Sequence, residues 1–291
     1  MINVKNLNKS FGKLDVINNM NLELEPGTIF GLVGVNGAGK STFLKLLSGV
    51  LIPEYGVIKI DQQSLDENQD VKKNIFFLSD QPIHSHGMTI KDLRNLYHVF
   101  YPFDNAKYLS ILSLFNLSEN MSLSHISKGM RRQAYIAIAF ASNAKYLLLD
   151  EVFDGLDPIA RLKFKQLMIE ENQADKIFIL TSHSLRELED ICDSFGIIDE
   201  GRFKRFGHLS DELSRLKKYR IILKDILPYQ LTTSSLKILF QQQEGRVLTV
   251  VIEGEHSSLE NTIDAKDYHV IDELPINFEE YFMVYQGGGS K

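Results

Sequence analysis

Short runs of apolar and β-branched residues alternate with helix-compatible segments over residues 1–200. This alternation predicts an α/β fold in which helices cover a mainly parallel sheet. The polar stretch at residues 61–70 is predicted to be a solvated loop. The strands are expected at residues 2–4, 29–33, 57–60, 75–77, 146–149, 177–180 and 195–198.

Residues 90–143 show helical spacing and few strand signals. We therefore expect a helical insertion between two strands of the α/β body. Such an insertion offers a surface on which a partner can dock.

The pattern changes again after Gly201, where a charged helix is expected near residues 211–218. Strands are expected at residues 219–223 and 246–252, and Asn277 is placed to cap a closing helix that runs through Tyr285. The glycine-rich end of the chain resembles a flexible linker or a tag remnant. The expected domains are therefore an α/β domain at 1–212, an accessory domain at 217–286 and a linker-like tail at 287–291.

The composition excludes several classes of protein. With 44% hydrophobic and 24% charged residues, the chain of 291 residues has the profile of a globular protein. Its net charge of −6 argues against nucleic acid as the main partner, because phosphate binding usually requires a basic excess. The single cysteine permits no internal disulfide, which favours the cytosol. The longest apolar run, at residues 134–141, is far shorter than the ~20 residues of a membrane-spanning helix.

A glycine-rich loop, GVNGAGKST from Gly34 to Thr42, lies between an apolar run and a helix-compatible run. It matches the pattern G-x4-G-K-[S/T] in the strand–loop–helix context that the pattern requires. Backbone N–H groups of such a loop surround polyphosphate oxygens, the helix N-terminus adds positive potential, and a hydroxyl is suited to Mg²⁺. The loop is therefore predicted to bind a nucleotide through Asn36, Gly37, Gly39, Lys40, Ser41 and Thr42.

The apolar run at residues 146–149 ends in two acidic residues, Asp150 and Glu151. Acids after a strand usually belong to a solvated turn, but a nucleotide-binding loop in the same chain favours a catalytic interpretation. In that interpretation Asp150 holds Mg²⁺ through water, and Glu151 orients or deprotonates an attacking water molecule.

The segment SKGMRRQ, which begins at Ser127, lies between these two motifs. At this point the sequence resembles the nucleotide-binding subunit of an ABC transporter, whose signature is L-S-G-G-Q. Residues 126–130 occupy the signature positions, and Ser127 and Gly129 are the residues retained. The resemblance covers about residues 1–212. It implies a P-loop ABC ATPase with a RecA-like core, an antiparallel β subdomain and a helical insertion, followed by a small α+β accessory domain.

The resemblance also assigns roles to single residues. It implies that Ser127 and Gly129 contact the γ-phosphate of a nucleotide held by a second subunit. Phe11 resembles the aromatic residue that stacks on adenine, and Asp157 resembles the D-loop residue that lies between the two nucleotide sites. His183 resembles the switch histidine that contacts the γ-phosphate.

The resemblance further implies ATP and Mg²⁺ as cofactors. Ser41 and Asp150 would hold the metal, together with the residue at the Q-loop position. Alignment of the strand at residues 75–79 places Asp80 at that position, with Gln81 one residue later. Either side chain could therefore supply the ligand.

The function implied by the resemblance is hydrolysis of ATP by a homodimer or heterodimer that drives a polytopic membrane permease. The permease would dock on residues 90–143 and hold the chain at the cytoplasmic face of the plasma membrane. The signature variant resembles those of bacterial peptide and antibiotic exporters, including the phenol-soluble-modulin type. An alternative is an ABC ATPase that acts on ribosomes or DNA, but a single phosphate loop and the lack of a long coiled coil disfavour it. A P-loop kinase or GTPase is disfavoured by the ordered signature, D-loop and switch motifs.

Overall fold

The computed structural model describes residues 1–66, 68–172, 175–231, 237–254, 259 and 262–286. The chain divides into two compact units, Met1–Phe206 and Gly207–Lys291. This division falls before the boundary expected from the sequence, because Glu212 hydrogen-bonds Tyr281 within the second unit. The predicted linker at residues 287–291 lies outside the described residues.

A six-stranded sheet forms the body of the first unit, in the order β10-β9-β3-β8-β7-β6, and β9-β3-β8-β7-β6 pair in parallel. Every residue of β3, β7 and β8 is buried, as expected for strands of a parallel sheet covered on both faces. The α/β class predicted from the sequence is confirmed. The strands of this unit are β1 (Ile2–Phe11), β2 (Leu14–Leu24), β3 (Ile29–Val33), β4 (Tyr55–Ile60), β5 (Gln63–Ser64), β6 (Ile75–Leu78), β7 (Tyr146–Leu149), β8 (Ile177–Thr181), β9 (Ser194–Asp199) and β10 (Arg202–His208).

A second, antiparallel sheet has the order β2-β1-β4-β5. The sequence predicted only a short part of β1 and missed β2 altogether. One reason is irregular pairing: the β1–β2 register shifts at several points, and Asn6 and Asn19 have positive φ angles of 50° and 52°. These irregularities interrupt the alternation of buried and exposed residues in β1 and in the first half of β2. Residues 20–24 of β2 alternate strictly, and the sequence reasoning missed that signal. The loop predicted at residues 61–70 also contains β5.

Three helices of the insertion lie between β6 and β7. Side-chain caps begin each of them: Thr89 and Asp92 form a capping box at α3, Asp104 caps α4, and Ser127 caps α5. From Arg132 to its end, α5 is buried. The helices of this unit are α1 (Lys40–Leu47), α2 (Gln69–Lys72), α3 (Ile90–His98), α4 (Asn105–Leu114), α5 (Lys128–Ala141), α6 (Pro158–Asn172) and α7 (Leu185–Glu189).

Within the described residues of the second unit, helices precede and follow an antiparallel sheet whose strand order is β12-β13-β11-β14. The expected charged helix at 211–218 ends early, because Leu216 already pairs with Glu253 of the neighbouring strand. Among the helices of both units in the described ranges, none has the length and hydropathy that a membrane span requires. The elements of this unit are α8 (Leu209–Ser214), β11 (Leu216–Leu223), β12 (Lys237–Glu244), β13 (Val247–Glu253), β14 (Tyr268–Leu274) and α9 (Phe278–Gln286).

We expect Tyr281→Phe to destabilise the second unit by about 1.5–3 kcal/mol, the range for a hydrogen bond to a charged group. The Tyr281 side chain is fully buried, and its hydroxyl donates to Glu212 Oε2 at 2.6 Å. Hydrogen exchange of the β11 and β13 amides measures the loss. Tyr229→Phe removes an exposed hydroxyl contact and serves as the control. Equal protection in both variants would contradict the prediction.

Candidate functional site

The glycine-rich loop connects β3 to α1 and packs closely against its neighbours. Gly39 has a φ of +109°, and a Cβ atom there would lie 2.8 Å from the carbonyl oxygen of Val16. A Cβ atom on Gly34 would collide with the carbonyl oxygen of Ile198. Only glycine fits these two positions, so the loop lies tightly against the sheet, and the N-terminus of α1 opens onto its concave side.

Lys40 is the first residue of α1 and is 7% exposed. Its Nζ donates to the carbonyl oxygen of Gly34 at 2.7 Å and to that of Val35 at 3.3 Å, so the ammonium group lies over the loop. Burial lowers the pKa of Lys40, while the carboxylates of Glu151 and Asp150 oppose this shift. A buried cation over a cradle of backbone N–H groups is suited to polyphosphate.

The loop forms one side of a cleft of about 310 Å³. The other side has three side chains, each two residues beyond the end of a strand: Asp80 after β6, Glu151 after β7 and His183 after β8. The structure thus brings together most of the site residues predicted from the sequence. The lining consists of Val16, Asn36, Gly37, Gly39, Lys40, Ser41, Thr42, Asp80, Glu151 and His183.

The two acids after β7 are held by a threonine at the end of β8. The hydroxyl of Thr181 donates to Asp150 Oδ1 at 2.7 Å and accepts a hydrogen bond from the Glu151 backbone N–H at 2.7 Å. Glu151 has a φ of +48°, a left-handed conformation that costs on the order of 1–3 kcal/mol in a non-glycine residue. The Thr181 hydroxyl therefore fixes the Asp150 carboxylate and also the strained backbone at Glu151, which determines the direction of the Glu151 side chain.

Glu151 is also in contact with His183. The His183 backbone N–H donates to Glu151 Oε2 at 3.0 Å, and His183 Nε2 lies 3.4 Å from Oε1. Burial raises the pKa of Glu151; His183 and Lys40 oppose that rise, and Asp150 adds to it. A carboxylate with a raised pKa binds a proton more strongly and is suited to general-base chemistry.

Asp80 and Gln81, the two candidates for the Q-loop position, both line a pocket beside the cleft. Asp80 also lines the cleft that contains the glycine loop, whereas Gln81 is not among the residues of that lining. The Arg132 guanidinium, 2% exposed, donates to the carbonyl oxygens of Ser79 at 2.9 Å and Asp80 at 2.6 Å. This arginine of α5 therefore holds the chain that presents Asp80.

The oxygen donors at the cleft fit a hard divalent cation. The Ser41 hydroxyl and the Asp80 carboxylate line the cleft, and Asp150 is fixed beside it. Within the described ranges, no group of three or more His, Cys, Asp or Glu side chains is placed to hold a metal. Such a sparse set suits Mg²⁺, which keeps several waters and completes its shell with substrate phosphates.

The signature residues lie apart from this cleft. Ser127 is exposed and caps α5 through a 3.1 Å hydrogen bond from the Met130 backbone N–H. Gly129 is buried, and a Cβ atom there would collide with the carbonyl oxygen of Gly155. Lys128 and Asp154 form an ion pair across the same contact. The signature and the following loop are therefore packed as one piece.

Two further predicted residues have visible local roles. Asp157 Oδ1 accepts a hydrogen bond from the Ala160 backbone N–H at 2.9 Å, which caps the first turn of α6. Phe11 is 49% exposed at the tip of the β1–β2 hairpin, which also carries Val16 of the cleft. Phe11 is therefore not a core residue, and the Lys9 ammonium group lies over one face of its ring, 5.5 Å from the centroid.

Sequence reasoning missed three residues that shape the cleft: Val16, Arg132 and Thr181. The signal for Thr181 was its place at the end of an apolar strand, next to the histidine motif. Arg132 could also have been singled out, because it lies just before the apolar part of α5. A charged side chain that is buried there needs hydrogen-bond partners. Val16 belongs to a strand that the sequence did not reveal.

We expect Thr181→Val to destabilise the first unit by about 1–3 kcal/mol for each buried group that it leaves without a partner. Those groups are the Asp150 carboxylate and the Glu151 backbone N–H. Urea unfolding followed by circular dichroism measures the loss. Thr181→Ser keeps the hydroxyl and is the matched control, so equal stability of the Val and Ser variants would refute this role.

Comparison with known proteins agrees with this geometry. The sequence profile of the ABC transporter family matches residues 17–154, which include the glycine loop, the signature segment and both acids after β7. The chain is 27% identical over 290 residues to the ABC transporter ATP-binding protein YtrB of Bacillus subtilis, covering 99% of both proteins. It is 28% identical to the lantibiotic transport ATP-binding protein SrtF of Streptococcus pyogenes, over 69% of this chain and 88% of SrtF.

Solved structures show the same fold. A structure of the ATP-binding subunit of an ABC transporter superposes with a TM-score of 0.69 at 28% identity, covering 74% of this chain and 92% of that one. A dimeric ATP-binding cassette bound to ADP and Pi superposes at 0.65 and 22% identity over 72% of this chain and 99% of its own. The similarity to YtrB extends through the second unit as well. The chain therefore belongs to the ATP-binding, ATP-hydrolysing subunits of ABC transporters.

Proposed function

We propose that this chain hydrolyses Mg²⁺-ATP as one half of a dimer and thereby powers export of peptides or amphipathic compounds through a separate membrane subunit. The observation that carries the proposal is the single cleft that unites Lys40, Asp80, Glu151 and His183. The name of the relative SrtF refers to lantibiotic transport, which supports a peptide-like substrate.

In the proposed reaction each residue of the cleft has one task. The loop N–H groups and Lys40 bind the β- and γ-phosphates, and Glu151 takes the proton of the attacking water. His183, held at Glu151, faces the γ-phosphate. Ser41, Asp80 and Asp150 would hold Mg²⁺, which when bound neutralises phosphate charge. Phe11 would stack on adenine.

A second copy is proposed because three residues that the family resemblance assigns to the nucleotide site are absent from the lining of this cleft. Within the part of the chain that the structure describes, Ser127, Gly129 and Asp157 are not among the residues that line the cleft. We propose that Ser127 and Gly129 of one copy contact the γ-phosphate bound by the other, with Asp157 between the two sites. A helix N-terminus capped by an exposed serine suits that contact.

The membrane partner is proposed to dock on a groove of about 520 Å³ at the start of the helical insertion. Val99 and Phe100 are 77% and 62% exposed there, and two lysines lie at its side. An exposed apolar surface of this kind marks an interaction site. Docking there would hold the chain at the cytoplasmic face of the plasma membrane. The groove is lined by Lys72, Lys73, Leu96, Tyr97, Val99, Phe100 and Tyr101.

We expect Glu151→Gln to retain ATP binding and to lose hydrolysis by ~10²-fold or more, because the general base is removed. The variant should accumulate as an ATP-bound dimer. Phosphate release measures turnover, and light scattering with ATP measures dimerisation. Glu25→Gln, an exposed carboxylate elsewhere, is the control. Near-normal turnover in Glu151→Gln would reject the assigned role.

Substitution of Phe100 tests the docking surface. We expect Phe100→Ser to reduce recovery of a polytopic membrane subunit in pull-downs from the source cells, without changing ATPase activity of the isolated chain. Ile169→Ser, at a comparably exposed apolar position on α6, is the matched control. Recovery of ribosomes or DNA instead of a membrane subunit would favour the alternative function.

A further inference from the structure

The second unit contains a groove of about 470 Å³ between the outer surface of its sheet and α9. The opposite surface of the sheet is covered by the unit's own core, where Leu248, Val250 and Ile252 pack with Leu231. The groove is lined by Lys218, Phe240, Gln242, Glu244, Val247, Thr249, Val251, Asn277, Glu279, Glu280, Met283 and Val284. It is separate from the ATP cleft, which belongs to the first unit.

Apolar side chains form the floor and one wall of this groove. Val247 and Val251 of β13 lie on the floor, and Phe240 of β12 stands at one side with 38% of its surface exposed. Met283 of α9 forms part of the other wall and is 65% exposed. Apolar surface that lines a concavity in this way is suited to bind an apolar ligand group.

The charges at the rim are not balanced. Lys218 forms an ion pair with Glu280, which neutralises both. The Glu244 carboxylate accepts a hydrogen bond from Gln242 Nε2 at 3.0 Å, and within the described ranges neither Glu244 nor Glu279 forms an ion pair. Two negative charges therefore face the groove without a cation of the same chain.

We propose that this groove binds a cationic amphiphile, namely a peptide segment that presents apolar side chains beside a lysine or arginine. The apolar side chains would occupy the floor, and the cation would pair with Glu244 and Glu279. The volume lies within the range of about 300–1,000 Å³ typical of ligand sites. A folded partner needs roughly 800 Å² of contact on each side, which a groove lined by a few side chains does not supply.

The test measures binding of a fluorescein-labelled synthetic peptide, composed of lysine and leucine at helical spacing, to the full chain by fluorescence anisotropy. We expect saturable binding that weakens with added salt. The double variant Glu244→Gln/Glu279→Gln should weaken it about tenfold, because two charge contacts at a partly exposed rim are lost. Thr249→Tyr, a strand-compatible substitution that fills the floor, should abolish it.

Two controls distinguish binding in the groove from the general attraction between a cationic peptide and an acidic protein. Glu23→Gln/Glu25→Gln makes the same change in charge at exposed positions of the first unit and should leave the affinity unchanged. A peptide with glutamate in place of lysine should not bind. Equal weakening by both double variants, or binding of the glutamate peptide, would overturn the proposal.

A second copy of the chain is the competing occupant. If light scattering shows a nucleotide-free dimer that Thr249→Tyr dissociates, while the lysine–leucine peptide does not bind, the groove is a dimer contact and the proposal is wrong. Circular dichroism of each variant establishes that the second unit is folded in every comparison.

Discussion

The burial of charge at the carboxyl edge of the parallel sheet is the constraint on which the site depends. Lys40, Asp150 and Glu151 are each less than a tenth exposed, and any one of them alone would lose several kcal/mol of hydration. They can be buried together because the charge of each one offsets the loss of hydration of an oppositely charged neighbour. For Lys40, burial lowers the pKa, and the nearby carboxylates of Glu151 and Asp150 raise it. The buried Thr181 hydroxyl links Asp150 to the backbone of Glu151 and so fixes the geometry of this balance.

The same burial sets the chemistry of Glu151. Its raised pKa means that it takes up a proton at a higher pH than an exposed glutamate does, so its charge is lost as the pH falls through that raised value. Above it the carboxylate is ionised and is a stronger base than a solvated one. His183 and Lys40 oppose this rise in the pKa, because their positive charge favours the ionised carboxylate.

Close packing of two glycines joins the signature segment to the loop that follows β7. Gly129 of the signature lies against Gly155 of the following loop, and Lys128 pairs with Asp154 beside it. Three residues further along α5, Arg132 donates hydrogen bonds to the carbonyl oxygens of Ser79 and Asp80. The first turns of α5 therefore contact both the Asp80 segment and the loop that contains Gly155.

The phosphate loop, the acids after β7, the order of motifs and the α/β class could all be predicted from the sequence, because each depends on local spacing along the chain. It also identified β3 and β7 as strands, since buried parallel strands are apolar throughout. The folded chain was needed to show that Asp80 lines the cleft with the phosphate loop, that Thr181 hydrogen-bonds at both acids and that Val16 completes the lining. These features depend on contacts between residues far apart in the chain, and local periodicity carries no record of such contacts.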